Sequence, residues 1–374
     1  MSHVRYIPAG EKRCVDITTT MDKVSQIWQE LTMLRHEGAD GIYGKKVTSS
    51  YIDQAKTYYL DARNSNWKSG GLLYYYSFLN LAKAFVVSQR AISGSKLKST
   101  SIYHGLTNEP QNPSNLSEFE FQIHPKSHRN KKNVFAVFYE KLTDNPWPFN
   151  SPLTIKIKDI ISYCDEISHE FDTFYAIRGK NFLIQSIVRL SSNEMWLELL
   201  APNRAIPILQ SSLGTSVGTI TDFPQMTQND KDEWITAYNR KPTSLRNHSL
   251  VRINQKPFNQ TNQAIQFQNL QDEVNILFKD YYLPMPAEDE TAARTIFWKF
   301  VPKVALNGQE LVWHPLLSNY LIAFVLSSIL RYNPHLFLMG SKDSFIAEAW
   351  CNQSPITSIR YFLMALSQKN LRLD

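Results

Sequence analysis

The sequence predicts a mainly α protein of the α+β kind, a helical bundle made from the two ends of the chain with a small strand-bearing region between them. Three observations carry this. The stretch Leu72–Arg90, LLYYYSFLNLAKAFVVSQR, holds no Pro or Gly and stays rich in apolar residues for about five turns, as a buried helix does. A second apolar stretch, Leu316–Arg331, lies late in the chain behind the His314-Pro315 pair, and Pro suits the first turn of a helix. Between them, residues such as Phe119, Phe121 and Ile123 alternate with Glu120, Gln122 and His124, the period of a half-buried strand.

The other elements follow in chain order. Val24, Ile27, Trp28, Leu31 and Leu34 give Met21–His36 helical spacing, and a second helix is expected from Ser49 or Ser50 through Arg63. Asn64–Gly71 reads as a turn before the long helix. After the strand at 119–123, Val134–Tyr139 reads as another strand, with the basic segment from His124 to Lys132 as the loop between them. Leu153, Ile155 and Ile157 alternate again, and Ile160–Phe171 suits a short helix. Asn181–Leu190 and Met195–Leu200 read as a hairpin, Ser211–Asn247 as loop-rich, and Ser249–Ile253 as an edge strand. Helical character returns at Asn269–Phe278 and Ala292–Phe300. After the apolar helix and the Gly340-Ser341 break, Lys342–Trp350 forms one segment, and Ser354-Pro355 opens a last helix through Gln368. The expected division is 1–115, 116–256 and 257–374, with the last part packed on the first.

Composition bounds the function classes. The chain has 374 residues, 43% hydrophobic and 20% charged, the balance of an ordinary globular protein. Its formal charge of +6 is compatible with a polyanionic partner, but spread over this length it is also ordinary surface charge. Cys14, Cys164 and Cys351 are odd in number and far apart, so reduced thiols are expected, with no metal site and no cofactor. The N-terminal residues lack an apolar signal region, and the uncharged run at 311–330 is interrupted by His314 and Pro315. A cytoplasmic protein with no membrane span is therefore expected. Phosphate-loop, dinucleotide, zinc-protease and serine-hydrolase motifs are absent from the sequence.

The polar residues of the long helix are the first site candidates. Tyr76, Asn80 and Lys83 fall on one narrow stripe with Ser77 beside it. A buried polar stripe needs partners. Either it faces a cleft, with Lys83 as the cation for an anionic ligand, or it is an internal network in which Lys83 meets a carboxylate. His104, before Gly105 in a turn, is either an acid/base or a turn cap, and His104 and Lys83 are the candidates for any catalysis. Lys126, Arg129, Lys131 and Lys132 form the densest basic run, able to touch phosphates or simply solvated. Arg331 and His335 sit at a helix end, where Arg331 suits the last carbonyls.

The tracts Tyr75-Tyr76-Ser77, Asn80-Leu81-Ala82-Lys83-Ala84, His104-Gly105-Leu106, His314-Pro315-Leu316 and Arg331-Tyr332-Asn333-Pro334, in this order, resemble the YaaC-like protein family. The resemblance implies a mainly helical bacterial cytosolic protein whose helical part is distantly similar to HEPN-type bundles, many of which serve RNA-targeting toxins and antiviral defence. The spacing of Arg331 and His335, with Pro334 between them, departs from the Arg–His pattern of HEPN ribonucleases, so that activity is not implied. The leading expectation is a nucleic-acid-associated or defence protein that contacts RNA or DNA. The alternatives are a non-enzymatic protein-interaction or self-associating scaffold, and an enzyme on a small anionic substrate.

Overall fold

The computed structural model describes residues 15–17, 22–34, 41–97, 102–108, 113–128, 131–191, 193–229, 231, 246–258, 265–266, 269–270, 273, 282–284, 298–367 and 371–373. Its long helices are α1 (Lys23–Met33), α2 (Ile42–Asn64), α3 (Trp67–Ser88), α4 (Val134–Thr143), α5 (Ser168–Tyr175), α6 (Ile206–Leu213), α7 (Pro315–Tyr332) and α8 (Lys342–Ser367). The chain divides into two units, one of residues 19–180 and 303–369, the other of residues 1–18, 181–302 and 370–374. These boundaries do not fall at 115/116 and 256/257. Residues 116–180 belong to the helical unit, because their strands and short helices close over α3 and α7 instead of joining the large sheet.

The helical unit is built around α3 and α7, the mainly α core that the two apolar stretches predict. They run antiparallel: Gly71 faces Leu326 and Leu330, while the Tyr75 ring lies 6.0 Å from Tyr320 and 5.5 Å from Phe324. A Cβ on Gly71 would stand 3.2 Å from Leu330, so the glycine allows the close approach. Around this pair, α8 brings Trp350 and Phe362 to within 6.1 and 6.0 Å of Phe78, and α4 sets Phe138 at 5.5 Å from Phe85. Trp28 of α1 meets Tyr59 of α2, which in turn meets Tyr74, each at 5.3 Å. Edge-on aromatic pairs of this sort add about 0.5–1.5 kcal/mol each beyond area burial. α7 is apolar and long enough to cross a membrane by length and composition, and 83% of it is buried inside this unit.

Several elements differ from expectation for identifiable reasons. Val134–Tyr139 is helix, not strand: Asn133 caps it by accepting from Ala136 N at 3.2 Å, and Asp144 ends it in the left-handed region at φ 55°. Its uninterrupted apolar run carries no period to separate helix from buried strand. Asn64–Gly71 is not a turn throughout, since α3 already starts at Trp67 under the Asn66 cap. α2 likewise begins at Ile42, well before Ser49. Ile160–Phe171 is broken into a short helix at Ile157–Ile161 and α5, because Cys164 turns inward to Asn319. Pro355 starts no helix; it lies inside α8, where it removes one backbone bond at a cost of roughly 3 kcal/mol. Trp350, Cys351, Ser354 and Ser358 are buried on both sides of it, and that packing outweighs the local penalty.

In the second unit a six-stranded antiparallel sheet is formed by β1 (Phe182–Leu190), β2 (Glu194–Pro202), β3 (Val217–Asp222), β4 (His248–Pro257), β5 (Tyr282–Pro284) and β6 (Trp298–Phe300), in the order β3-β4-β2-β1-β6-β5. The β1–β2 hairpin is the expected one, with Arg189 opposite Trp196 and Leu190 opposite Met195. β4 is not an edge, because β3, from the supposedly loop-rich stretch, pairs on its outer side. Trp298–Phe300 is strand, not helix, held by pairing with both β1 and β5. Residues 292–297 and most of 269–278 lie outside the described residues. Leu209 and Leu213 of α6 cover the sheet face made by Met195, Leu197, Leu199, Val251, Ile253 and Phe300.

Candidate functional site

Two three-stranded sheets in the helical unit meet at one turn. Ile102–Tyr103 pairs in parallel with Lys132–Asn133, and Leu106–Thr107 pairs with Gln122–Ile123; His104-Gly105 makes the step between them. Gly105 has φ 84° and a Cβ there would overlap the Asn133 carboxamide, so both its conformation and its surroundings demand glycine. Asn133 is itself fixed, donating to His124 O at 2.5 Å while capping α4. Gly105 O accepts from His124 N at 2.9 Å. The turn is therefore rigid, and it sets His104 against α3 and α7.

One side of the His104 ring packs on Tyr75, at 6.4 Å, and Phe324, at 6.1 Å; the residue is otherwise exposed. Leu106 N–H donates to His104 Nδ1 at 3.2 Å. A backbone N–H can only donate, so Nδ1 is the acceptor and the neutral ring carries its proton on Nε2. Desolvation on the packed side, then the charges of Lys83 and Arg331 and the nearby His124, push the imidazole down to about 4. At neutral pH His104 is thus an uncharged donor between two cations.

Lys83 is half-buried on α3 with its ammonium 5.3 Å from the Tyr51 ring centre, and burial holds its pKa below the usual range. Among the described residues no carboxylate forms an ion pair with it. Arg331, at the other end of the α3–α7 pair, is exposed; its Nε donates to Ser327 O at 3.0 Å and its guanidinium lies 5.1 Å from the Tyr332 ring centre. Gly71, the residue of α3 level with Arg331, is twelve positions from Lys83, a rise of about 18 Å. The three groups form a row rather than a cage. Such a row, with no carboxylate ion-paired to it among the described residues, suits an extended anion.

The stripe read from the sequence splits. Tyr76 is 37% exposed and its ring lies 5.6 Å from that of Tyr58 of α2, tilted by 34°. Ser77 is buried and donates to Ala55 O at 2.8 Å, tying α3 to α2. Asn80 is buried beside it. Tyr76 and Lys83 therefore face outward, with His104 brought to the same region, while Ser77 and Asn80 do not.

The basic run is not a single solvated loop. Lys126 is ion-paired with Glu140 and so is partly neutralised. Lys131 is exposed and Lys132 half-buried on the strand that leads into Asn133, whereas Arg129 lies outside the described residues. His335 sits exposed in the turn Pro334–Phe337, and no contact joins it to Arg331 in a catalytic pair. Tyr51 and Tyr58 are residues of this region that the sequence does not mark as such. The seven-residue spacing of Tyr51 and Tyr58 on one helix face was the available signal, but it reads equally as core.

Among the described residues, no group of three or more His, Cys, Asp or Glu side chains could hold a metal ion. No curated protein and no solved structure matches the chain. The model of the YaaC-like protein family matches residues 17–345, which takes in α3, the His104 turn and α7, and the chain belongs to that family.

Proposed function

We propose that this YaaC-like protein is nucleic-acid-associated, binding the phosphate backbone along the row Lys83, His104 and Arg331. The observation that carries the reading is a row of two cations from two different helices, Lys83 on α3 and Arg331 on α7, along the helix pair on which the His104 ring packs, without a carboxylate ion-paired to either among the described residues. A half-buried ammonium such as Lys83 is costly to hold without a counter-charge, and an anionic ligand relieves that cost. Lys131 and Lys132, on the strand joined to the His104 turn, extend the positive surface. Association, not cleavage, is proposed. The accessible His104 nitrogen carries a proton in the neutral ring and is not a base, and Arg331 is engaged with Ser327 O away from any His335 partner.

The test is binding of RNA and DNA oligonucleotides across salt concentrations. Affinity should fall with rising salt, and Lys83→Met and Arg331→Met should each shallow the slope by roughly one phosphate contact. Absence of binding to both polymers at low ionic strength overturns the reading.

A second reading, self-association, is favoured by one observation. Met339 is 91% exposed next to exposed Leu338, and Phe345 is exposed and stacked at 6.5 Å on the exposed Phe174 ring. Exposed apolar clusters of this kind mark interaction surfaces. Light scattering on the wild type and on Phe345→Ser tests it: a monomer at all concentrations, unchanged by the substitution, removes this reading.

A further inference from the structure

Helices α2 and α3 run antiparallel with a regular register: Ser77 is tied to Ala55, the Tyr76 ring leans at 34° on that of Tyr58, and Lys83 lies over Tyr51. Tyr58 is seven residues from Tyr51, and Tyr76 seven from Lys83, so two similar rungs repeat about 10.5 Å apart along the seam. Each rung has an aromatic ring of α2 beneath a side chain of α3. At one rung the upper group is an exposed ring; at the other it is a cation. The Tyr76 ring is further propped by Tyr75 at 5.7 Å, and Tyr75 also touches the His104 ring. Tyr76 is therefore a supported, partly exposed ring on the strip of α3 that carries Lys83, next to the Tyr75–His104 contact.

We propose that this seam is a binding site for single-stranded nucleic acid, in which an unpaired base stacks on Tyr76 beside Tyr58 while the phosphate of the adjoining nucleotide is held by Lys83. The inference rests on the nucleic-acid reading above and adds the strandedness of the ligand and the residue that selects it. The argument is chemical. A duplex offers phosphates but hides its base faces within the stack, so a polyanion site that needed only backbone would gain nothing from a propped ring. A single strand offers both, and alternating aromatic and basic groups are the arrangement that reads it without regard to sequence. The two rungs offer a ring at one and a cation at the other, about two turns apart along the same helix. At the far end of the row Arg331 lies beside Tyr332, 63% exposed, which repeats the pairing of a cation with an accessible ring.

The experiment uses the full chain and three fluorescent probes of about a dozen nucleotides, within the usual range of single-strand sites. They are a mixed-sequence single strand, the same strand annealed to its complement, and an abasic single strand with the same number of phosphates. The single strand should bind roughly tenfold tighter than either of the other two. Tyr76→Leu should abolish that preference while leaving the salt slope unchanged, and Lys83→Met should reduce the slope and keep the preference for bases over abasic sites. Because Tyr76 is exposed, Tyr76→Leu should melt close to wild type; Tyr76→Phe, which keeps the ring, should bind as wild type and separates stacking from a change in fold. Equal affinity for all three probes, or a Tyr76→Leu protein that still prefers the single strand, overturns the inference and leaves the polyanion reading standing. Failure of every probe to bind at low salt removes both.

Discussion

Gly105→Ala perturbs the turn that positions His104, and its cost can be worked from the geometry. The residue has φ 84°, a conformation that costs an L-residue about 1–2 kcal/mol. The new Cβ also overlaps the Asn133 side chain, which cannot swing away freely because it caps Ala136 N and donates to His124 O. Expelling it forfeits the cap, about 1 kcal/mol, and leaves a buried-side hydrogen bond unmade, about 1–3 kcal/mol. The total is roughly 3–6 kcal/mol. The assay is urea unfolding of wild type, Gly105→Ala, Asn133→Ala and the double variant, compared at constant m. Asn133→Ala loses the cap and the bond without the overlap, so it should cost about 2–4 kcal/mol. In the double variant the overlap no longer exists and only the backbone term is added, so the two single effects should fall short of additivity by at least about 1 kcal/mol. Strictly additive effects, or a Gly105→Ala protein within about 0.5 kcal/mol of wild type, would refute the proposed wedge.

Four further outcomes follow from the same structure. Lys83→Met should leave stability unchanged or raised at neutral pH, since burial disfavours the folded ammonium; a clear fall in Tm would show that Lys83 is instead held by a stabilising partner. His104 has a folded pKa of about 4 against an ordinary 6.5, so the unfolded chain takes up the proton first; stability should decline as pH falls from about 6.5 to about 4, and His104→Gln should flatten that part of the urea-midpoint profile. Cys164 and Cys351 are buried, with the Cys351 thiol pushed up to about 12 and Cys164 well above its usual value. A thiol reagent should therefore modify neither until the protein unfolds, and rapid native labelling of either would contradict the packing described. In the sheet unit, Arg189 and Glu198 are each 5% exposed and bonded at 2.8 Å, so Glu198→Gln should destabilise by about 3–5 kcal/mol in urea unfolding; a change under about 1 kcal/mol would mean the pair is solvated.

The two apolar helices were legible because each is long and nearly free of charge, which leaves burial against another element as the only stable arrangement. Their pairing was legible for the same reason. The short elements were not. Val134–Tyr139 and Trp298–Phe300 are apolar runs whose secondary structure is decided by what lies next to them: an Asn133 cap in one case, pairing with β1 and β5 in the other. Pro355 shows tertiary packing overriding the strongest local signal available. Of the site, Lys83 and His104 could be picked out as polar residues in apolar or turn surroundings, but Arg331 looked like a helix end. Only the antiparallel pairing of α3 and α7 places it on the other side of His104. Tyr58 was invisible as a site residue because half a ring is covered, and sequence cannot say which half.

The same antiparallel packing explains why charged groups can sit on so apolar a pair of helices. Where two helices cross in register, side chains directly in the seam are buried, as Ser77 and Tyr75 are, while those one step around emerge along its rim. Lys83 and Tyr76 occupy the rim of the α2–α3 seam, and the His104 turn sits over the α3–α7 seam beside them. α3 belongs to both seams, so a ligand lying along its exposed strip meets residues from all three helices and from the turn at once. A contact that spans four elements responds to their mutual arrangement, whereas a contact with one helix does not. Substitutions inside the seams, such as Gly71→Ala, should therefore weaken the proposed nucleic-acid binding without touching the ligand. At Gly71 the new Cβ stands 3.2 Å from Leu330 Cδ1 and 3.4 Å from Leu326 Cβ, so the Leu330 side chain has to give by a few tenths of an ångström, pressing on the turn of α7 that carries Arg331. Oligonucleotide affinity measured beside Tm on Gly71→Ala separates the two ideas: affinity that drops while Arg331→Met adds little more places the loss in the position of Arg331, and unchanged affinity would mean that the row does not depend on the seam.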